Sequence, residues 1–146
     1  MTERPARHRL FVYGSLLAGE RDHGVLAGAE LVGPARTEAA YSLVDLRVYP
    51  ALVDEGSTAV VGELYLVDAQ VRRRADVCKE CPVLFERKTV RLEGGEEAEA
   101  YFMDRTKVGG KRRIWNGDWR NRFAPKPRES AAGPFVTWAK GRFTGR

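Results

Sequence analysis

Several short stretches of this chain combine residue types and spacings that could do chemistry. Leu10-Phe11-Val12-Tyr13-Gly14-Ser15-Leu16 is an apolar strand running into Gly-Ser. A strand that ends at glycine can turn sharply and leave consecutive N–H groups unpaired and concave, which suits an anion or an oxyanion. Ser15 is not an elbow nucleophile, because Tyr13 and Leu17 stand where G-x-S-x-G needs its glycines. Glu80 is the second candidate. It lies between a helix end and a strand, followed by Cys81-Pro82-Val83-Leu84-Phe85-Glu86-Arg87, and its apolar neighbours predict partial desolvation, which raises a carboxylate's pKa toward the acid–base range. Glu63, in Val61-Gly62-Glu63-Leu64-Tyr65, is a further carboxylate, expected to be a paired strand residue whose loss costs stability.

Other patterns carry less. Cys78-Lys79-Glu80-Cys81 is a C-x-x-C, but the chain has no other cysteine, and His8 and His23 lie far apart without paired spacing, so no metal site is expected. The pair also falls at a helix C-terminus, where the dipole opposes thiolate formation and hence a thioredoxin-type role. Asp22 and His23 are adjacent and so seldom point at one another, which argues against a triad. Gly109-Gly110-Lys111-Arg112 is no phosphate-binding loop, because Arg112 replaces the Ser or Thr and Arg105 the first Gly.

The elements that must position these residues are mostly strands. β-branched and aromatic density with flanking turn residues predicts them at 9–14, 30–36, 39–46, 50–53, 59–67, 84–92 and 98–104. Glu93-Gly94-Gly95-Glu96 predicts a tight antiparallel hairpin between the last two. Asp68 predicts an N-cap for a helix over 69–79, with Val71, Ala75 and Cys78 on its apolar face. A shorter helical turn is expected at 20–27, and the segment after 105 is left open.

At 146 residues, 43% hydrophobic and 31% charged, the chain fits one globular domain. It has no apolar run long enough to span a bilayer. The charged amino terminus lacks a signal-peptide core, which predicts a cytoplasmic protein. Charge is uneven: residues 1–104 carry 13 basic and 18 acidic side chains, residues 105–146 carry 12 and 2. This basic end, with Trp115, Trp119, Phe123, Phe135, Trp138 and Phe143 interleaved, has the ingredients of a nucleic-acid surface. No nucleic-acid module signature accompanies it, and the expectation is a solvated tail, 124–146, with aromatics packed on the domain.

The ordered set Phe11-Val12-Tyr13-Gly14-Ser15-Leu16, Tyr49-Pro50-Ala51-Leu52-Val53, Val61-Gly62-Glu63-Leu64-Tyr65, Glu80 with Phe85-x-Arg87, and Gly117-Asp118-Trp119 resembles the gamma-glutamylcyclotransferase-like superfamily, including its AIG2-like and butirosin-pathway branches. The resemblance spans about 9–123, taken as domain 1–123. It implies an α+β fold, a small mostly antiparallel β-barrel with one main helix and short helices outside. It also implies Glu80 as general acid/base, and Tyr13, Gly14, Ser15 and Leu16 as substrate-binding residues, a set that Tyr49, Pro50 and Phe85 complete. The implied reaction is attack of a γ-glutamyl substrate's own α-amine on its γ-carbonyl, releasing 5-oxoproline and a free amine or amino acid, without metal or cofactor. The rival is a binding module of the same fold that has lost turnover. Three details depart from the family's habit: Cys81 follows Glu80 where Gly is common, Phe85 stands where Tyr is common, and Asp76 precedes Glu80 by four residues rather than three. The last predicts a loop of altered shape.

Overall fold

Asp68 starts the helix as its residue type predicts: extended itself, it accepts a hydrogen bond from Val71 N–H at 2.9 Å through Oδ1. In the computed structural model, which describes residues 7–127, the elements are β1 (Arg7–Val12), β2 (Glu30–Arg36), β3 (Tyr41–Asp45), β4 (Pro50–Thr58), β5 (Val61–Asp68), α1 (Ala69–Cys78), β6 (Glu86–Arg91) and β7 (Glu97–Phe102). Short 3-10 turns occupy His23–Leu26, Arg105–Lys107 and Trp119–Asn121. The expected α+β class is what the chain adopts.

The strands form one sheet in the order β2-β5-β1-β7-β4-β3, with β6 added on β7. Most pairs are antiparallel, among them β1 with β5 through Phe11↔Leu64 and the β6–β7 hairpin through Arg91↔Glu97. Gly94 and Gly95 make the hairpin turn, both at φ 91°, a conformation that glycine takes without steric cost. Two contacts are parallel, Leu10↔Glu99 between β1 and β7 and Leu52↔Phe102 between β4 and β7. They gather the ends of β1, β4 and β7 at one place.

Period-two alternation gives the sheet two apolar faces. Leu10, Val12 and Val67 pack with Val71 and Ala75 of α1 and with Phe85; Phe11, Leu43, Leu64 and Phe102 form the other cluster. The helix therefore lies on the first face and points its C-terminus toward the end of β1. The strand expected over 84–92 begins only at Glu86, because Leu84 still donates its N–H back to Glu80 O at 2.8 Å. Past Phe102, Trp119 is buried, and the Arg122 guanidinium stacks 3.7 Å from its ring centroid and 4.7 Å from that of Phe123. Cation and aromatic there satisfy each other. Most of the expected basic tail, with Phe135, Trp138 and Phe143, lies outside the described residues.

Candidate active site

Tyr13 continues β1 into the buried centre of the molecule, and its hydroxyl is fully used. It donates to Tyr101 O at 2.6 Å and accepts from Leu52 N–H at 3.2 Å, so it ties β7 to β4. Burial pushes the phenol's pKa up, keeping it protonated as the donor. Gly14 follows at φ 159°, not far from extended, and the tighter constraint is contact: a Cβ there would lie 2.5 Å from Pro50 Cγ. The glycine lets the turn close against the start of β4.

Beyond it, Leu17 N–H bonds Gly14 O, and Asp22 N–H bonds Ser15 O at 2.8 Å. The N–H groups of Ser15 and Leu16 find no acceptor among the described residues, although both residues are buried. Two adjacent donors without partners have the makings of a small anion cradle. Glu63 braces this turn from β5, its Oε1 accepting from Ala18 N–H and from Tyr65 Oη, each at 3.0 Å. His23 Nδ1 lies 2.9 Å from Leu16 O and is committed to the turn rather than to Asp22.

The opposite wall comes from the end of α1. Asp76 pairs with the Arg87 guanidinium and accepts from Tyr101 Oη at 2.6 Å. Burial alone would raise its pKa, but the bonds from Arg87 and Tyr101 outweigh this and hold the carboxyl below the usual range. This triad fastens the helix end to β6 and β7. Lys79 then caps the helix, its N–H bonded to Ala75 O, and Glu80 turns the chain at φ 50°. That left-handed residue sends consecutive side chains in different directions: Lys79 is buried, Glu80 exposed.

Between the walls lies a cavity of about 240 Å³. Ser15, Arg21 and Asp22 line it from the turn, Tyr49 from the approach to β4, and Cys78, Lys79, Glu80, Leu84 and Phe85 from the helix end and loop. The Tyr49 and Phe85 rings meet at 5.9 Å. Larger hollows, about 430 and 480 Å³, flank residues 108–113, but they are lined by glycines and by cations such as Arg112, already paired with Asp45 at 2.7 Å. The smaller cavity joins the glycine turn to the helix end. Among the described residues no cluster of three His, Cys, Asp or Glu side chains is arranged to hold a metal ion. Nor is any helix there long and apolar enough to cross a membrane.

The model of the gamma-glutamyl cyclotransferase, AIG2-like family matches residues 10–121. The chain belongs to that family. A Vibrio cholerae relative named "Putative gamma-glutamylcyclotransferase" is 35% identical over 116 residues, covering 80% of this chain and 98% of that one. A Danio rerio relative, "Gamma-glutamylaminecyclotransferase C", is 33% identical over 95 residues, covering 59% and 62%. The fold is also that of a uropathogenic E. coli-specific protein of known crystal structure, at TM-score 0.71 and 23% identity, covering 84% of this chain and 99% of the other.

Of the cyclotransferase-family residues expected at the site, Ser15, Tyr49, Glu80 and Phe85 line the cavity. Tyr13 contributes only a ring face behind Lys79, and Gly14, Leu16 and Pro50 form the packing beneath. Arg21, Asp22, Cys78, Lys79 and Leu84 also line the cavity, although none of them is among the residues expected there. The signal was present in the family spacing: three residues after Asp76 stands Lys79, not Glu80.

Proposed function

We propose that the protein cyclises a γ-glutamyl compound in this cavity, releasing 5-oxoproline and a free amine or amino acid. Family membership together with one observation carries the reading: Ser15 of the glycine turn and Glu80 of the helix end line the same cavity. A volume of about 240 Å³ falls just below the ~300–1,000 Å³ of sites for drug-sized ligands and suits a glutamyl-sized group. The nucleophile of this reaction is already tethered to its electrophile, so the protein has little to supply beyond placement and proton transfer. Glu80 takes a proton from the α-ammonium; the free amine attacks the γ-carbonyl carbon and forms the lactam C–N bond. The oxyanion is held by the Ser15 and Leu16 N–H groups. As the original amide C–N bond breaks, Glu80 passes to the leaving nitrogen this proton and then the second one, shed by the ring nitrogen, so that the lactam is neutral and the leaving group departs as an ammonium, a cycle that uses no cofactor. The Danio rerio relative's name supports an amine as leaving group.

A second reading, binding without turnover, is favoured by Glu80 lying on the exposed rim while Lys79 occupies the interior. Phe85 also offers no hydroxyl. The separating experiment incubates the protein with γ-glutamyl amines and dipeptides and measures 5-oxoproline. The expected result is product from the wild type and a loss of about 10²–10⁴-fold in Glu80→Gln, with folding intact. A fully active Glu80→Gln removes the role of Glu80, and saturable binding without product establishes the second reading.

A further inference from the structure

We propose that Lys79 is the cavity's anion anchor, the seat for a carboxylate carried by the ligand. Its Nζ lies 5.0 Å from the ring centroid of Phe85, 5.8 Å from that of Tyr49 and 6.0 Å from that of Tyr13. The residue is only 7% exposed, yet Nζ is not among the fully occluded polar atoms that lack partners, so the ammonium opens onto the cavity that Lys79 lines. It has no hydrogen bond or ion pair with any described residue, and burial pushes its pKa down.

Ring faces attract a cation but carry no net charge, and a desolvated ammonium without a counter-ion is unfavourable. Five other charged or titratable side chains share the lining: Arg21, Asp22, Tyr49, Cys78 and Glu80. No carboxylate of the described residues forms an ion pair with Lys79, and Asp22 attracts it only at longer range. The missing counter-charge therefore arrives with the ligand. A singly charged carboxylate fits better than a phosphate, because Arg21 is already paired with Asp22 at 3.7 Å, leaving one ammonium to face the ligand, and Glu80 would repel a second negative charge. The unpaired Ser15 N–H on the facing wall belongs to a second donor set for the same class of ligand. The inference goes beyond the cyclisation above, since the anchor operates whether or not the bound molecule turns over.

The test titrates four probes calorimetrically into the full-length protein. They are γ-glutamylethylamide, its counterpart without the carboxylate (N-ethyl-4-aminobutanamide), glutarate and 5-oxoproline. The wild type should prefer γ-glutamylethylamide to the decarboxylated probe by about tenfold or more, as expected for a charge-assisted bond. Lys79→Met should abolish that preference and Lys79→Arg should keep part of it. In the wild type, ¹³C-lysine spectra should show one side chain responding to carboxylate probes, and the resonance should vanish in Lys79→Arg; this reading survives even if Lys79→Met does not fold. The proposal is overturned if the wild type binds none of the three carboxylate probes more tightly than the decarboxylated one, if folded Lys79→Met retains such a preference, or if no lysine resonance responds. Lys79-dependent binding of glutarate and 5-oxoproline without binding of γ-glutamylethylamide would uphold the anchor and remove the γ-glutamyl reading instead.

Discussion

Replacing Tyr13 by Phe separates two roles that a tyrosine beside a binding cavity could play. The ring faces Lys79 Nζ at 6.0 Å and is kept by the substitution. The hydroxyl, bonded to Tyr101 O and Leu52 N–H, is removed. Leu52 is fully buried, so its N–H loses its acceptor with no water to replace it, a cost of about 1–3 kcal/mol; the lost bond to Tyr101 O adds about 1 kcal/mol. The total is about 2–4 kcal/mol. At roughly 4 °C per kcal/mol for a chain of this size, the melting temperature should fall by about 8–16 °C. Urea unfolding followed by circular dichroism gives the free energy, and calorimetric titration of γ-glutamylethylamide into folded protein gives the affinity. The expected outcome is a large loss of stability with affinity within about twofold of wild type. A stability change under about 0.5 kcal/mol accompanied by weakened binding would show that the hydroxyl serves the ligand and that the strand clamp is wrongly assigned.

Glu63→Ala removes the acceptor shared by Ala18 N–H and Tyr65 Oη and should cost about 1–2 kcal/mol, with faster amide exchange at Ala18 than in the wild type; unchanged exchange there would mean the turn does not depend on Glu63. Asp76 titrates lower folded than unfolded, so its pairing with Arg87 and Tyr101 stabilises the fold above the unfolded carboxyl's pKa near ~3.9 and is lost as pH falls through the lower folded value. Denaturant unfolding at a series of pH values should therefore show a shallower acid limb in Asp76→Asn than in the wild type, and equal slopes would contradict the assignment.

Local chemistry was legible wherever it acts within a few residues. The Asp68 cap, the Gly94-Gly95 hairpin and the apolar face of Val71 and Ala75 all follow from neighbours in sequence, and most strands lie close to their expected bounds, whereas the one expected over 50–53 runs on to Thr58. The parallel contacts of β1 and β4 with β7 could not be read that way, since they depend on how distant segments share one core. The loop after α1 is less legible. Helices commonly end on a glycine in the left-handed conformation, and here that residue is Glu80, so nothing in its type announced the reversal. One residue's φ separates the two side chains, Lys79 buried and Glu80 on the exposed rim of the cavity that both line. The four-residue spacing from Asp76 to Glu80 predicts a loop of altered shape, and both Lys79 and Glu80 line the cavity there.

The aromatic cage around Lys79 also bears on how such a site can change over generations. Lysine and glutamate codons differ at a single base, and no described residue makes an ion pair or hydrogen bond with the Lys79 side chain. The backbone at this position is held by Asp76, Arg87 and Ala75 rather than by the charge it presents. A point mutation could thus reverse the sign of the cavity floor while the scaffold stays the same, which makes ligand preference at this position quick to diverge between close relatives.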